Sequence, residues 1–183
     1  MTTLGYDALP RTYTATARAL HWITAALVLT MAPIGIAMAN FQLGALGDVL
    51  YDIHRSIGAI LLPIVLARLA YRLTNPPPPL PDDIPAIQQL AANLTHWAMY
   101  VLLIVQSFVG WIATSAYRAP IKVFWLFELP PIWPVDQPFS EKMFAVHRFI
   151  GIALVFLICA HIGAALFHHF VRKDDVLTRM LGR

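Results

Sequence analysis

Histidines recur inside apolar segments of this chain that otherwise carry almost no titratable groups. The stretch 145–170, AVHRFIGIALVFLICAHIGAALFHHF, holds His147, His161, His168 and His169 among aliphatic and aromatic residues. A titratable ring inside a membrane segment is costly, so it is a functional candidate by default. A lone histidine is explained well by a hydrogen bond to a neighbouring helix. Several histidines in a regular pattern favour a cofactor site instead.

Four segments of the 183-residue chain are long and apolar enough to cross a membrane. Hydrophobic residues make up 58% of the sequence and charged residues only 13%, whereas a soluble domain carries about 25% charged residues. A helix needs about 20 apolar residues to cross the hydrocarbon core, and it satisfies its own backbone groups in lipid. We therefore predict an all-α membrane protein, a single four-transmembrane-helix bundle over residues 1–183. The predicted spans are 17–39, 51–73, 94–116 and 143–171.

Prolines and tryptophans indicate how the spans are connected. NPPPPLPDDIP at 75–85 is typical of a stiff extended linker, and the stretch 119–142 is typical of a loop along the membrane surface. Pro33 and Pro63 lie inside spans, where they are expected to kink the helices rather than break them.

AMA at 37–39 resembles a cleavage site. However, the first apolar run is longer than that of a usual signal peptide, so we predict a retained helix.

Charge and cysteine content exclude several partners and predict an orientation. The net charge is only +3, and the basic residues form no patch or stripe, so no nucleic-acid partner is expected. The single cysteine, Cys159, excludes an internal disulfide and a Cys-based metal cluster.

Eight basic residues fall on the side of the termini and five on the other side. The positive-inside rule therefore predicts that both termini are cytoplasmic.

Histidines of different spans can meet in two layers. His147 and His161 are fourteen residues apart, which is about 21 Å along a helix, and their directions differ by only about 40°. His54 lies near the outer end of its span, as His147 does, and His21 lies on the same half as His161. Two imidazoles that approach one iron from opposite sides suit a six-coordinate b-type haem in a bundle. The pattern predicts two haem b groups, with these four histidines as candidate iron ligands.

Helix geometry also bears on a zinc site and on other pairs of histidines. A closed zinc site would need four ligands at one depth, and the dispersal of the histidines in two layers favours haem. His168 lies seven residues beyond His161 and within about 20° of the same face, so His21 could pair with either of them. His96, near the inner end of the third span, is a further inner candidate.

Small residues predict room for a flat macrocycle. Several of them flank His161 and favour it over His168 as a ligand. Gly58 and Gly151 each follow an outer histidine by four residues, so each would offer clearance about one turn further along the helix.

Four stretches of the chain carry a family resemblance. They are ARALHW from residue 17, YDIHRSIG from residue 51, HRFIG from residue 147 and HIGAALFHHFVRKDDVLTRM from residue 161. In this order and spacing they resemble the bacterial cytochrome b561 family, which consists of small four-helix dihaem proteins of the inner membrane. The closing pattern is the most specific element, and the resemblance covers nearly the whole chain.

The resemblance implies ligands and an activity. It implies that His21 and His161 bind the inner haem and that His54 and His147 bind the outer haem. It also implies that superoxide gives its electron to the outer haem and that ubiquinone collects electrons at the inner side. The expected location is therefore the bacterial inner membrane, with the lipid bilayer, superoxide and ubiquinone as partners.

Basic residues at the outer end are candidates for the donor side. We predict Arg118, Lys122 and Arg148 as catalytic residues, because a basic funnel near the outer haem would steer an anion such as superoxide. Arg55 and Arg148 directly follow haem histidines and could instead neutralise propionates. Ordinary interfacial arginines would give the same sequence pattern.

Polar residues at the inner end are candidates for a quinone site. His96, His168 and Arg18 collect at one level with Trp97. A quinone site needs a hydrogen-bond donor or a proton source beside an apolar wall, and histidine exchanges protons near neutral pH. We predict His168 first and His96 second for this role, and we expect His169 to face the headgroups.

A second function is compatible with the same residues. The chain could be an electron-transfer cytochrome b subunit that receives electrons from a periplasmic or membrane dehydrogenase. In that case the outer loop, with Trp125, Phe127 and Trp133, would serve as the surface on which the protein donor docks.

Overall fold

Four long helices dominate the computed structural model, which describes residues 12–81 and 83–182. Each helix is long and apolar enough to cross a membrane, which confirms the predicted four-helix transmembrane bundle. Three of them begin six to eight residues before the predicted spans, because their first turns contain polar residues that a search for apolar runs leaves out. The helices are α1 (Ala15–Asn40), α2 (Ala45–Thr74), α3 (Ala86–Tyr117) and α4 (Gln137–Phe167).

Local signals in the sequence explain where these helices begin and continue. The Thr14 side chain accepts a hydrogen bond from the amide of Ala17 at the start of α1, and the Asp136 side chain caps α4 in the same way. Such caps satisfy amides that have no partner within the helix. Helices α1 and α2 continue through Pro33 and Pro63, as predicted. Residues 75–85, apart from Asp82, contain no helix or strand, which agrees with the predicted extended linker.

The connection between α3 and α4 contains a β-hairpin that the sequence analysis did not predict. Strands β1 (Ile121–Val123) and β2 (Phe127–Leu129) pair antiparallel, with Lys122 opposite Glu128. The turn places Phe124 and Trp125 at φ values of 46° and 59°. Hairpin turns with positive φ are normally signalled by Gly or Asn. Bulky residues occupy them here, so the usual sequence signal is missing.

Ser56 fixes this hairpin to α2, two residues after His54. Its hydroxyl lies 2.7 Å from the Asp52 carbonyl oxygen and 2.9 Å from the Lys122 carbonyl oxygen, and it accepts a hydrogen bond of 2.8 Å from the Phe124 amide. The residue is only 1% exposed. The hairpin is thus positioned over the end of the bundle that holds His54.

Ser56→Ala is expected to loosen the hairpin without unfolding the bundle. The substitution leaves the Phe124 amide without its acceptor, and a buried unsatisfied group costs about 1–3 kcal/mol. Limited proteolysis in detergent should therefore cut within residues 119–136 several-fold faster. Ser107→Ala is the matched control, because the Ser107 hydroxyl donates only to Leu103 of its own helix. Equal cleavage of the two variants would contradict the anchoring role.

The helices pack as two pairs joined through α2 and α3. Helix α1 packs on α2, α3 packs on α4, and α2 contacts α3, whereas α4 has few close backbone contacts with α1 or α2. The buried core lies at mid-height between α2, α3 and α4. It consists of Leu61, Val65, Tyr100, Leu103, Ile150 and Leu154. The helices that carry the predicted histidine pairs are therefore held apart rather than packed directly together.

The C-terminal segment folds back against the end of α4. A π-helical turn (His168–Arg172) follows α4, and Lys173 ends it with a left-handed φ of 57°. The short helix α5 (Val176–Leu181) comes next. Its residue Met180 accepts a hydrogen bond from the Trp22 indole, and Arg179 donates to the carbonyl oxygen of Pro79. These contacts tie α5 to α1 and to the proline-rich linker.

Candidate functional site

Four histidines form two cross-helix pairs near opposite ends of the bundle. The outer pair, named for its position near the hairpin, is His54 of α2 and His147 of α4, with ring centroids 6.2 Å apart. The inner pair is His21 of α1 and His161 of α4, also with ring centroids 6.2 Å apart. Each pair joins α4 to a helix with which it makes few close backbone contacts. The structure thus brings together the partners predicted from depth and helix face.

The separation within each pair fits one metal between two imidazoles. A metal–nitrogen bond of about 2 Å on each side, with about 1 Å from nitrogen to ring centre, gives about 6 Å between centroids. Among residues 12–81 and 83–182, no group of three or more His, Cys, Asp or Glu side chains could hold a metal ion. A four-ligand zinc site is therefore not formed there. A haem iron needs only two protein ligands, because the macrocycle supplies the other four.

One ring of the outer pair, that of His147, has a tautomer suited to a metal. Nδ1 of His147 lies 3.1 Å from the carbonyl oxygen of Gln106. A carbonyl only accepts hydrogen bonds, so Nδ1 carries the proton and Nε2 keeps a free lone pair. Histidines that bind metals usually donate their second N–H in this way. The Gln106 side chain also donates to the carbonyl oxygen of His147 at 2.9 Å, which holds α3 and α4 together at this layer.

The inner pair is arranged differently, because a half-buried arginine contacts it. Nη2 of Arg68 lies 2.8 Å from Nδ1 of His21. A guanidinium only donates hydrogen bonds, so Nδ1 of His21 is the acceptor and its proton lies on Nε2. Iron binding by Nε2 would displace that proton, so the hydrogen bond between His21 and Arg68 would have to change. In the sequence, Arg68 counts only toward the predicted orientation, although an arginine inside a span is itself a signal of function.

Glycines of α1 and α3 make room for the outer rings. A Cβ atom on Gly35 would lie 3.1 Å from Cε1 of His54, and one on Gly110 would lie 2.9 Å from Cε1 of His147. The predicted glycines have other neighbours: a Cβ on Gly58 would meet Met31, and one on Gly151 would meet Gln106, each at 3.2 Å. Their role in clearing space for a macrocycle stays a prediction. Gly35 and Gly110 were missed because each faces a histidine of another helix.

A large cavity opens beside the inner pair. Its volume is about 1000 Å³, at the upper end of the range for sites of small molecules and cofactors. His21, His161, His96 and His168 all line it, and the His96 ring centroid is 5.2 Å from that of His161. Arg18, predicted for the same site, lies outside this lining, and its guanidinium is beside Gly182. The inner cavity thus gathers two of the three predicted quinone residues.

His168 has a carboxylate partner. Its Nδ1 is 2.5 Å from Oδ2 of Asp174, and Arg172 donates to the same oxygen at 3.2 Å. Burial raises the pKa of Asp174, but hydrogen bonds from His168, the Val176 amide and Arg172 outweigh it, so the net pKa lies below its usual value. Asp174 therefore stays ionised at neutral pH. The stability that this ionised form adds is lost only as the pH falls through that lowered pKa.

The basic residues predicted for the donor side are spread over the hairpin end. Arg118 ends α3 in a left-handed conformation and lines a cavity of about 390 Å³ together with Glu128. Lys122 lies opposite Glu128 on the hairpin. Arg148 is exposed on α4. The structure shows no direct contact among these three cations within its described residues, and Glu128 offsets part of their charge.

Arg55 is engaged by neighbours on its own helix. Its guanidinium lies 3.7 Å from the Asp52 carboxylate and 5.5 Å from the centre of the Tyr51 ring. These contacts explain its position without a cofactor, and its predicted role toward a propionate remains untested.

The fold and the paired histidines define a class, that of membrane-spanning cytochromes b. The chain belongs to the prokaryotic cytochrome b561 family, whose sequence model matches residues 12–183. This confirms the resemblance seen in the sequence. The protein is therefore a multi-pass inner-membrane protein of electron transfer, and its family implies b-type haem.

Individual relatives cover almost the full length of the chain. Cytochrome b561 homolog 2 of Escherichia coli (strain K12) is 32% identical over 185 residues, covering 98% of this chain and 96% of the relative. Cytochrome b561 homolog 1 of the same organism is 31% identical, covering 90% and 93%. A protein of Yersinia pestis named probable superoxide oxidase CybB is 29% identical, covering 88% and 91%.

Proposed function

We propose that this protein takes electrons from superoxide at its outer side and passes them through two b haems to ubiquinone at its inner side. The observation that carries the proposal is the presence of two histidine pairs with the same 6.2 Å separation, one in each half of the bundle. His54 and His147 would hold the outer haem, and His21 and His161 the inner haem. When bound, the haems supply one-electron transfer.

The inner cavity supports a quinone as the acceptor. Its wall is mainly apolar, with Leu20, Val28 and Leu103 among the lining residues, and it contains polar rings at His96 and His168. This combination of an apolar wall and a few polar groups is typical of a small-molecule site. Two electrons and two protons convert ubiquinone to ubiquinol, so the chain must supply protons as well as electrons at this end.

Superoxide as the donor is supported by charge and by one relative. Each superoxide loses one electron and leaves as dioxygen, and two such events reduce one quinone. The Yersinia pestis relative bears the name probable superoxide oxidase. Arg118, Lys122 and Arg148 place positive charge at the hairpin end, where it would attract an anion. The count of basic residues favours a periplasmic position for this end and a cytoplasmic position for both termini.

A superoxide pulse mixed with the oxidised, haem-loaded protein tests the proposal. We expect haem reduction at a rate that falls as salt is added, because salt screens the attraction between the anion and the cations. Arg148→Gln should lower the bimolecular rate about two- to tenfold at low salt and weaken its salt dependence. The measurement is stopped-flow absorbance of the haem bands, followed by reoxidation when a ubiquinone analogue is added.

Lys173→Gln is the matched control for this experiment. It removes one exposed cation at the opposite end of the bundle, so the rate with superoxide should be unchanged. Absence of haem reduction by superoxide in the unaltered protein would contradict superoxide as the donor.

A protein donor is the second candidate, favoured by the apolar tip of the hairpin. Leu126 is 82% exposed and Trp125 60% exposed, and aromatic residues are enriched where proteins dock. Reduction of the haems by a periplasmic or membrane dehydrogenase, with no reaction with superoxide, would favour this function. Alanine at Trp125 and Leu126 should then slow reduction by the protein donor only.

A further inference from the structure

We infer that Asp174 is a positioning residue for His168, and that His168 donates a proton to the quinone oxygen in the inner cavity. The inference rests on the proposed quinone reduction and identifies the side chain that donates a proton in it.

The backbone after α4 turns back in a way that a regular helix does not. In a continuous α-helix a residue six positions after His168 would lie about 9 Å further along the axis and on a different face. The π-helical turn and the left-handed Lys173 reverse the chain instead, and the amide of Asp174 bonds to the carbonyl oxygen of His168 at 3.2 Å. Isolated π-helical turns often occur at functional sites. This reversal brings the carboxylate of Asp174 against the His168 ring.

The carboxylate is held on both of its oxygens. Oδ2 accepts from Nδ1 of His168 at 2.5 Å and from Nε of Arg172 at 3.2 Å, and Oδ1 accepts from the Val176 amide at 3.2 Å. Arg172 in turn donates to Asp83 of the linker at 2.8 Å. The side chains of His168 and Asp174 are only 15% and 13% exposed. Asp174 is therefore fixed from several directions, and it fixes the ring in turn.

This arrangement determines which ring nitrogen of His168 is available. A carboxylate only accepts hydrogen bonds, so Nδ1 of His168 carries a proton. A carboxylate on one ring nitrogen sets the tautomer and the orientation of the ring, as in the Ser-His-Asp triad. Among the described residues, the hydrogen bonds of this ring use Nδ1 alone, which leaves Nε2 for a ligand. The ring lines the inner cavity, where the quinone is proposed to bind.

His168 passes one proton to the quinone and regains it from water. The protonated imidazole holds one N–H toward Asp174 and one at Nε2. As the quinone receives two electrons, the Nε2–H bond breaks and an O–H bond forms on one quinone oxygen, while water of the inner side supplies the second proton to the other oxygen. His168 is left neutral, with Nδ1–H still donated to Asp174, and water of the inner side returns the proton to Nε2. A positioned general acid of this kind contributes about 10²- to 10⁴-fold to a rate.

In the alternative explanation, Asp174 only tethers the C-terminal segment and does not act through His168. Asp175 provides a matched control for this alternative. The neighbouring Asp175 makes an ion pair of 2.8 Å with Arg179 and is 54% exposed. It belongs to the same segment but does not contact His168. Asp175→Asn therefore removes a tether from the C-terminal segment and leaves the histidine partner intact.

The test measures quinone reduction separately from the superoxide reaction. Haem-loaded, full-length protein in nanodiscs is reduced chemically and mixed with a soluble ubiquinone analogue, and quinol formation is followed at several analogue concentrations. We expect Asp174→Asn to lower kcat at least about tenfold with little change in KM, and to enlarge the solvent deuterium isotope effect. Asp174→Glu should restore much of kcat. Asp175→Asn should leave kcat unchanged.

Non-additivity gives the second readout. If Asp174 acts through His168, His168→Gln should lower kcat strongly, and adding Asp174→Asn should lower it little further. Equal effects of Asp174→Asn and Asp175→Asn, a change in KM alone, or additive losses in the double variant would overturn the inference. A wild-type protein that leaves the quinone oxidised would contradict the proposed function itself. A wild-type protein that reduces it, with Asp174→Asn equally fast, would contradict this inference alone.

Discussion

His54→Ala is expected to lower the haem content from about two to about one per chain, and His161→Ala is expected to remove the other haem. A six-coordinate iron that is held by two histidines loses its site when either of them is missing. The two histidines belong to different pairs, at opposite ends of the bundle. Each variant should therefore show one transition in an optical redox titration where the unaltered protein shows two. The single transitions of the two variants should have different midpoint potentials.

His169→Ala is the control for these variants. His169 lies on the π-helical turn, outside the lining of the inner cavity, and its loss should leave both haems in place. Loss of the same haem from His54→Ala and His161→Ala would contradict the pairing. Loss of a haem from His168→Ala with retention in His161→Ala would instead make His168 the inner ligand, the alternative that helix geometry alone left open.

Gly110→Ala is expected to weaken the outer haem selectively. The added Cβ would lie 2.9 Å from Cε1 and 3.2 Å from Nδ1 of His147, so the ring must shift from its position in the outer pair. Overpacking of this kind costs about 1–3 kcal/mol, and about 1.4 kcal/mol corresponds to a tenfold change in affinity. Retention of the outer haem should fall about tenfold, as measured by competition with a haem-binding apoprotein, while the inner haem is unaffected.

Gly47→Ala is the matched control for Gly110→Ala. Gly47 is also helical, but its added Cβ would make only an ordinary contact of 3.5 Å with Leu43. An alanine at that position should leave both haems bound. Equal retention of the outer haem in the two variants would show that the contact between Gly110 and His147 does not limit the site.

The architecture and the histidine pairs could be predicted because they depend on properties that repeat along the sequence. The spans follow from uninterrupted apolar runs, which lipid demands of any spanning helix. His147 and His161 share a face because helical geometry fixes the direction of each side chain from its position. Their partners His21 and His54 then follow from depth.

Other parts of the site depend on how the helices are rotated and how the chain turns back, which one sequence does not reveal. Gly35 and Gly110 face histidines of other helices, so their role appears only once the bundle is packed. Arg68 of α2 contacts His21 of the neighbouring helix α1. Asp174 meets His168 only because the chain reverses after a π-helical turn. The contacts of the glycines and of Arg68 are set by packing between helices, and that of Asp174 is set by a local reversal of the chain.

Helix α4 alone contributes a histidine to both pairs, and this limits how the sequence between His147 and His161 can vary. Helices α1 and α2 each contain an internal proline and each provide one histidine, so a bend there re-aims a single ring. Between His147 and His161 the chain has thirteen residues and no proline. One residue inserted or deleted there would swing one ring by about 100° relative to the other. The identity of the residues in this interval can vary, but their number cannot, because it sets the direction of the His147 ring relative to the His161 ring.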